Sequence, residues 1–545
     1  GFAMLPRFVT LPRKARLFMP DQFSRRHSIR KPAVETRGGA VASQSRLAAE
    51  AGAAVLAGGG NAIDAAVVTA LAVGVAEPWM SGLGGGGCLL LRLAGESRVR
   101  ALDFGMRSPV GLDVEDDPLA ESGADSDLFG WPAVIDQRNL RGASAVAVPG
   151  QVAGLAEVLE RFGTLPWAEA LAPAIALADE GIALDWYSQL QITNAVTDLR
   201  RDPGCRAVYL DDDGLPPGPL VTPRMLRNDA LPACLRRLAD KGPAEFYEGD
   251  IARSIVSEVR DAGGSLAMAD LESYRPRWVE PLEVRRPEAK LFVLPELNGG
   301  PTLARALDAL AIEPKAGAQP DATFFAAFTE AMLEAFAFRL ANLGDHNDSA
   351  APSCTTHLSA IDAQGNMVAL TQTLLSVFGA RLTLPGTGIL MNNGINWFDP
   401  RPGQPNSLAP GKRTLSNYVP VIGEAADRAF AIGASGGRKI IGAMAQMASF
   451  LGDYRLSLDS AIHHPRVDVS GLETVGADPC LDPDILAALE ARFPVERKVR
   501  GVAPNNYAIP CGVLREGEVN FAAADPYHPW AEAVSETDSS RGVPQ

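Results

Sequence analysis

Apolar residues follow two different spacings along the chain, and the spacing changes near residue 355. Between 150 and 343, apolar positions mostly recur every three or four residues, as in 250–259 and 324–340, which predicts helices. From 355 onward, apolar and polar residues alternate on both sides of the turn 364–366, which predicts a β-hairpin of 355–362 and 367–374. A largely helical region therefore precedes a region that begins with strands.

The amino-terminal part contains two further helical patterns and a run of glycines. One helix is predicted over 44–56, and Asn61 is placed to cap a second helix that ends before Pro78. The run Gly82–Gly87 comes next and is followed by the strand-like segment 88–93. A phosphate-binding loop needs the order strand, glycines, helix, whereas here the glycines follow a helix. The glycines are therefore predicted to allow close backbone approach rather than to bind a nucleotide.

Composition and charge narrow the class of protein. The 545 residues are 47% hydrophobic and 21% charged, which is typical of a globular chain with a large core. A formal net charge of −15 argues against nucleic acid or an anionic membrane as partner, so a small-molecule or peptide substrate is expected. The longest apolar run, 65–76, is too short to span a bilayer.

Targeting and metal signals are weak. Residues 1–31 are basic, but no apolar block of the secretory type follows them, so a cytoplasmic location is expected, or a periplasmic one if a leader has been removed. The six cysteines include no CxxC pair, and only two of the six histidines, His463 and His464, are adjacent. The sequence therefore predicts reduced thiols and no metal site.

Thr355 is the candidate nucleophile. If the chain is cut between Cys354 and Thr355, the threonine gains a free α-amino group that can take the proton of its own hydroxyl. Antiparallel pairing in the predicted hairpin would bring the hydroxyl of Thr371 or Thr373 near this residue. The alternative is a surface loop that leads into an ordinary half-buried hairpin.

A second candidate element is the segment 429–438, where a predicted strand runs into Gly436-Gly437 and then into a helical pattern over 439–451. Two successive N–H groups without side chains, close to a helix N-terminus, are suited to stabilise an oxyanion. A tight strand-to-helix turn without catalytic role would have the same sequence.

Together these segments resemble the γ-glutamyltranspeptidase family of N-terminal nucleophile hydrolases. The resemblance spans roughly residues 36 to 530 and is carried, in order, by seven motifs: Gly59–Ala66, Gly82–Gly86, Leu343–Asp345, Thr355–Ser359, Gly388–Asn393, Lys412–Ser416 and Ser435–Arg438.

The resemblance implies a fold, a maturation step and a mechanism. The fold would be an α+β, four-layer αββα sandwich, with a basic extension at 1–35, a large subunit at 36–354 and a small subunit at 355–545. Thr355 would cut the chain after Cys354 and then attack the substrate, while Thr373 hydrogen-bonds its hydroxyl and Gly436 and Gly437 form the oxyanion hole. The reaction would be ping-pong acyl transfer to water or an amine, without metal or organic cofactor. The two subunits would stay associated, and pairing of two such heterodimers is left open.

The substrate pocket departs from the family pattern. Gly105 stands where γ-glutamyl-specific members have an arginine, so Arg107 is the candidate replacement. Gly394, Trp397 and Leu375 occupy positions that are polar or acidic in those members, which favours an apolar or smaller acyl group. The candidate substrate contacts are Arg107, Asn393, Trp397, Ser416 and Asn417.

Three functions remain open at this point. The first is a γ-glutamyltransferase-type enzyme acting on γ-glutamyl compounds such as glutathione. The second is a relative that acts on another amide, like the cephalosporin or glutaryl acylases and the oxamate amidohydrolases of the family. The third is an unprocessed homologue without catalysis, which the intact set of Thr355, Thr373 and the two glycines disfavours.

Overall fold

Two seven-stranded sheets form the centre of the structure, a computed structural model that describes residues 29–116, 118–124, 131–218, 224–310, 316–343, 355–471, 473–503 and 505–539. Cys354, the linker that precedes it and most of the basic amino-terminal extension lie outside the described residues. The predicted division at 354/355 is therefore not tested by the coordinates and stays a prediction.

The strands are numbered in chain order. They are β1 Val34–Thr36, β2 Ala40–Ser43, β3 Gly86–Arg92, β4 Val99–Phe104, β5 Leu119–Ala124, β6 Pro132–Val134, β7 Ile182–Ala183, β8 Met225–Leu226, β9 Arg277–Val279, β10 Leu282–Arg285, β11 Ala289–Val293, β12 Thr356–Ile361, β13 Met367–Thr373, β14 Val421–Ala425, β15 Arg428–Ser435, β16 Val467–Asp468, β17 Val475–Ala477, β18 Val495–Arg497, β19 Ile509–Glu516, β20 Val519–Ala524 and β21 Glu532–Ser535.

The α-helices are numbered in the same way. They are α1 Arg46–Ala57, α2 Ala62–Ala76, α3 Gln151–Phe162, α4 Trp167–Glu180, α5 Trp186–Leu199, α6 Pro203–Tyr209, α7 Leu231–Lys241, α8 Ala244–Tyr247, α9 Asp250–Asp261, α10 Met268–Glu272, α11 Gly300–Ala309, α12 Ala322–Leu343, α13 Lys439–Gly452, α14 Leu458–His463, α15 Pro483–Glu490 and α16 Glu536–Ser539.

Both large sheets combine strands from the two sides of the predicted cleavage point. Sheet I has the order β21-β2-β12-β13-β3-β4-β9, and sheet II has the order β1-β20-β19-β15-β14-β11-β10. All neighbouring strands within the two sheets run antiparallel. Strands β12 and β13 of sheet I contact β15 of sheet II, so the two sheets face each other.

Helices cover the outer faces of the sheets. Helix α2 contacts β12 and β13 of sheet I, whereas α13 contacts β14 and β15 of sheet II. Helix α2 is buried along almost its whole length, and Asn61 caps it by accepting hydrogen bonds from the N–H groups of Ile63 and Asp64. This cap confirms the role predicted for Asn61 and fixes where α2 begins beneath sheet I.

The spacing rules predicted the elements on which the candidate site depends. Helices α1, α2, α9, α12 and α13 and the hairpin β12–β13 are confirmed, with ends that differ from the prediction by a few residues. The general class, a mixed helix-and-sheet protein, is confirmed as well. Among the helices of the described ranges, none combines the length and the apolar character that a membrane span requires.

Candidate active site

The register of the β12–β13 hairpin determines what lies next to Thr355. Thr356 pairs with Gln372 and His357 pairs with Thr371. Continued by one residue, this antiparallel register sets Thr355 beside Thr373, the last residue of β13. Thr355 is 4% exposed and Thr373 is 1% exposed, so both threonines lie at the buried end of the hairpin.

The Thr373 hydroxyl is held by the backbone that follows it. Its Oγ1 accepts a hydrogen bond from the N–H of Leu375 at 2.9 Å. Leu375 has a φ of +84°, a left-handed conformation that is rare for a leucine, so the chain turns sharply here. Because this oxygen accepts from Leu375, its own hydrogen points to a different partner. The register places the Thr373 and Thr355 side chains on the same face of the sheet.

The glycine run beside the hairpin makes close backbone approach possible, as predicted. A Cβ atom on Gly85 would lie 2.3 Å from the carbonyl oxygen of Thr373, and one on Gly87 would lie 2.3 Å from that of Thr371. Strand β3 therefore needs glycines where it pairs with β13. The run shapes the end of the hairpin and has no helix following it that would bind a phosphate.

His357 fills the space between the two sheets. Its Nδ1 lies 2.9 Å from the Thr371 hydroxyl and its Nε2 lies 3.0 Å from the Ser359 hydroxyl. Its ring lies against Gly433 of β15, where a Cβ atom would be 2.2 Å from the imidazole. Burial lowers the pKa of His357 to about 3, so the ring stays neutral and is unsuited to act as a base near pH 7.

Gly436 and Gly437 link β15 to α13, in the place that the sequence predicts. Both have positive φ, +137° and +57°, and a Cβ atom on Gly436 would lie 2.8 Å from the Cα of Ala508. Glycine is therefore required at this turn by conformation and by space. Because α13 begins at Lys439, the turn lies at the positive end of a helix dipole.

A small open cavity lies beside two of the predicted recognition positions, Gly105 and Ser416. Its lining includes Gly105 and Ser416 together with charged and aromatic residues to which the sequence analysis assigned no individual role, namely Asp103, Arg277, Glu296, Arg413 and Tyr418. Arg413 donates to the carbonyl oxygen of Gly105 at 3.1 Å, and Arg277 donates to Asp103 at 2.8 Å and to Glu296 at 3.0 Å. The cavity therefore has both positive and negative groups in its wall.

Ser416 and Asn417 are held by buried Arg339. The guanidinium donates to the Ser416 carbonyl oxygen at 3.0 Å and to the Asn417 Oδ1 at 2.9 Å. The Ser416 hydroxyl is 3.4 Å from the carbonyl oxygen of Leu297. Of this predicted pair, Ser416 lines the cavity, while the Asn417 amide oxygen is engaged by the arginine behind it.

Arg107 and Asn393 have partners outside the cavity lining. The Arg107 guanidinium donates to the Asp270 carbonyl oxygen at 3.1 Å and to the Ser273 hydroxyl at 2.9 Å. The Asn393 side chain donates to the Ser376 hydroxyl at 2.7 Å and accepts from the Ser376 N–H at 3.0 Å. Neither contact shows a substrate-binding role, so both roles stay predictions.

Trp397 and Leu375 lie in one apolar cluster, which also includes Met106 and Tyr418. Trp397 is 3% exposed and meets the Tyr418 ring edge to face at 5.4 Å. This arrangement agrees with an apolar wall at the positions where the sequence lacks polar residues. Tyr418 connects that wall to the cavity.

Neither arginine of the cavity wall could be placed there from its local sequence. Arg413 belongs to a motif used for the resemblance, but nothing in its local pattern indicated a pocket. Arg277 lies on β9 and reaches Asp103, which is distant in the chain, because β9 pairs with β4. Within the ranges that the structure describes, no group of three or more His, Cys, Asp or Glu side chains is arranged to hold a metal ion.

Comparison with known sequences identifies relatives over most of the chain. The family described as Gamma-glutamyltranspeptidase matches residues 48–354 and 348–534. The Acylase ACY 1 proenzyme of Pseudomonas sp. (strain V22) is 36% identical over 484 residues, covering 81% of this chain and 84% of the relative. Glutathione hydrolase 2 of Arabidopsis thaliana is 31% identical over 486 residues, covering 79% of this chain and 80% of the relative.

A solved structure has the same fold. The cephalosporin acylase from Bacillus halodurans superposes with a TM-score of 0.81 at 25% sequence identity, covering 95% of this chain and 99% of that chain. The relatives thus carry two kinds of name, acylase and glutathione hydrolase, and several are named proenzymes.

Proposed function

The chain belongs to the gamma-glutamyltranspeptidase family, and on that premise we propose that it cleaves itself before Thr355 and then acts as a γ-glutamyltransferase-type amide hydrolase and acyl transferase. The family is enzymatic, so the open questions are which residues react and on which acyl group. The observation that carries the proposal is the hairpin register, which sets Thr355 beside Thr373 at a buried strand end.

The proposed reaction begins with Thr355 as an N-terminal residue. Its α-amino group takes the hydroxyl proton, and Oγ1 attacks the carbonyl carbon of the substrate amide. The tetrahedral oxyanion accepts hydrogen bonds from the N–H groups of Gly436 and Gly437. The intermediate then collapses, the C–N bond breaks, and the leaving amine takes a proton from the Thr355 amino group, which leaves an acyl ester on Thr355.

The second half of the reaction regenerates the enzyme. Water or an acceptor amine gives a proton to the Thr355 amino group and attacks the ester carbonyl carbon. The C–O bond to Thr355 then breaks, and the hydroxyl recovers a proton. The Thr373 hydroxyl, held by the Leu375 N–H, hydrogen-bonds Oγ1 and keeps it directed at the carbonyl in both halves.

The sheet composition supports continued association of two subunits after cleavage. In sheet I, β2 lies between β21 and β12, and β13 pairs with β3, so strands from both sides of residue 354 are hydrogen-bonded to each other. Sheet II likewise includes strands from both parts. Separation of 36–354 from 355–545 would break strand pairs in both sheets. We also infer the four-layer αββα order, because α2 contacts sheet I, the sheets contact each other, and α13 contacts sheet II.

Two acyl groups are candidates. A γ-glutamyl group needs partners for a carboxylate and an ammonium ion, and Arg107 or Arg413 would serve the carboxylate. The apolar wall of Trp397 and Leu375 instead favours an acyl group without the ammonium, as does similarity to a relative named acylase. This second candidate, an acylase for other amides, deserves a direct comparison.

A panel of anilides that share one leaving group separates the candidates. γ-Glutamyl, glutaryl and butyryl anilides are compared by kcat/KM with wild type, Thr355→Ala and, as a control, Thr193→Ala on the surface of α5. We expect Thr355→Ala to lose turnover of every anilide and Thr193→Ala to keep it. Preference for γ-glutamyl anilide supports the first candidate, preference for the glutaryl compound supports the second, and unchanged turnover by Thr355→Ala contradicts the proposed nucleophile.

A further inference from the structure

A buried chain of polar side chains connects the two halves of the proposed catalytic apparatus. Because neighbouring residues of a strand point to opposite faces, Thr356 points away from the side on which His357 meets sheet II. The Thr356 hydroxyl lies 3.0 Å from Gln44 Oε1 and 3.0 Å from Glu77 Oε2, and all three residues are fully buried. The pairing of β12 with its neighbouring strands does not require these side-chain contacts.

Gln44 bridges the two sheets. It follows β2 of sheet I, and its Nε2 donates both to the Ser435 hydroxyl and, at 3.3 Å, to the Ile509 carbonyl oxygen. A carbonyl oxygen can only accept, so Ile509 fixes which end of the amide faces sheet II. Ser435 is the last residue of β15 and directly precedes Gly436. One amide therefore links the residue after Thr355 to the residue before the glycine pair.

Glu77 supports Thr356 from the helical side. It lies at the C-terminus of α2, and its Oε1 is 3.5 Å from His528 Nε2. His528 Nδ1 accepts from the Ala531 N–H at 3.1 Å, while Nε2 is 2.9 Å from the Tyr187 hydroxyl. The acceptor role of Nδ1 leaves Nε2 to carry the ring proton, facing Glu77 and Tyr187. His528 thus lies close to Glu77, although Glu77 Oε1 forms no hydrogen bond among the residues that the structure describes.

Efficient acyl transfer needs the nucleophile and the oxyanion donors at fixed separation, since errors well below 1 Å matter. We propose that Gln44 and Glu77 are positioning residues that fix Thr355 relative to Gly436 and Gly437 through Thr356 and Ser435. This inference rests on the proposed function. Both side chains act through another residue, so their loss should lower the rate of the chemical step and leave substrate binding largely intact.

The main test compares Gln44→Met with Gln446→Met. Gln446 is equally buried on α13 and makes hydrogen bonds of its own to Gly442 and Val467, so its loss controls for the removal of a buried amide. For Gln44→Met we expect kcat to fall by about 10- to 100-fold, as for displaced catalytic groups, with KM changed less than about threefold. We expect self-cleavage, followed by intact mass, to slow as well.

Further variants guard against loss of folding and test the connection between Gln44, Ser435 and Glu77. Ser435→Ala removes the Gln44 bond from its other end, and the pair Gln44→Met with Ser435→Ala should be non-additive in kcat. Glu77→Gln keeps an acceptor for Thr356, so we expect a smaller loss than for Glu77→Leu. If Gln44→Met does not fold, Ser435→Ala alone decides the question.

The outcomes separate this inference from the proposed function. A wild type that neither cleaves itself nor turns over any anilide defeats the proposed function. An active wild type with folded Gln44→Met and Ser435→Ala variants whose kcat stays within about twofold of normal defeats the positioning role. Equal loss of kcat in Gln446→Met defeats it too, because any buried amide would then have the same effect.

Discussion

The nucleophile side and the recognition side of the candidate site are built in different ways. Thr355, Thr373 and the glycine pair lie at the ends of paired strands, and the register of β12 with β13 fixes their neighbours. The cavity beside Gly105 and Ser416 is lined by residues of β3, β4 and β9 together with residues of separate loops, and arginines such as Arg339 and Arg413 hold that lining. In the proposed function, the reacting groups are thus placed by one strand register, and the acyl group is recognised by side chains gathered from several separate segments.

The largest expected effect tests the nucleophile side at Gly436. In Gly436→Ala the new Cβ must share space with Ala508 at 2.8 Å, and the backbone must keep a φ of +137°. We expect kcat to fall by about 100- to 1,000-fold, the loss typical of a damaged oxyanion hole. Gly517→Ala is the matched control, because Gly517 also has positive φ but open space around it. Comparable activity in the two folded variants would contradict the assignment.

The recognition side is tested by comparing two arginines. Arg413→Gln removes a charge from the cavity wall, and we expect kcat/KM for glutaryl anilide to fall by about 10- to 100-fold, as for a lost hydrogen bond to a charged group. Arg107→Gln should have a smaller effect, because Arg107 lies outside the cavity lining and donates instead to Asp270 and Ser273.

Butyryl anilide, which has no acyl carboxylate, is the control substrate for this pair. It should be affected by Arg413→Gln much less than glutaryl anilide. An equal loss of kcat/KM for both substrates would mean that Arg413 has only a structural role. A larger loss from Arg107→Gln than from Arg413→Gln would assign binding of the acyl carboxylate to Arg107 instead.

The smallest expected effect is the contribution of His357, which lies between the two sheets, to the pH dependence of stability. The pKa of His357 is about 3 in the folded protein, against 6.5 as the reference value, because burial disfavours the charged ring. Between these values the unfolded chain binds a proton that the folded chain does not. His357 should therefore lower the free energy of unfolding by ~1.4 kcal/mol for each unit that the pH falls below 6.5, within the range between its two pKa values.

Chemical denaturation of wild type and His357→Gln from pH 7 to pH 5 measures this contribution. The variant should have a shallower pH dependence of the free energy of unfolding than wild type. Identical slopes for wild type and His357→Gln would show that the ring is not kept neutral by the fold.

The difference between the nucleophile side and the recognition side also explains which parts of the site could be predicted from the sequence. Alternation and turn residues identified β12, β13 and the strand before Gly436, because these elements are encoded by local patterns. Arg277 and Tyr418 were not predicted, because neither has a local sequence signature. The pairing of β9 with β4 brings Arg277 to the cavity, and the folding of a loop brings Tyr418 there. The roles of Gln44 and Glu77 could not be predicted either, because their hydrogen-bond partner Thr356 is hundreds of residues away in the chain.

The intact mass of the purified protein tests the central claim most directly. Wild type should separate under denaturing conditions into chains of 354 and 191 residues, broken between Cys354 and Thr355, since 191 is the remainder of 545. Thr355→Ala should stay whole, and Thr193→Ala should cleave like wild type. A wild type that remains a single chain after prolonged incubation, or a Thr355→Ala variant cut at the same bond, would contradict the account.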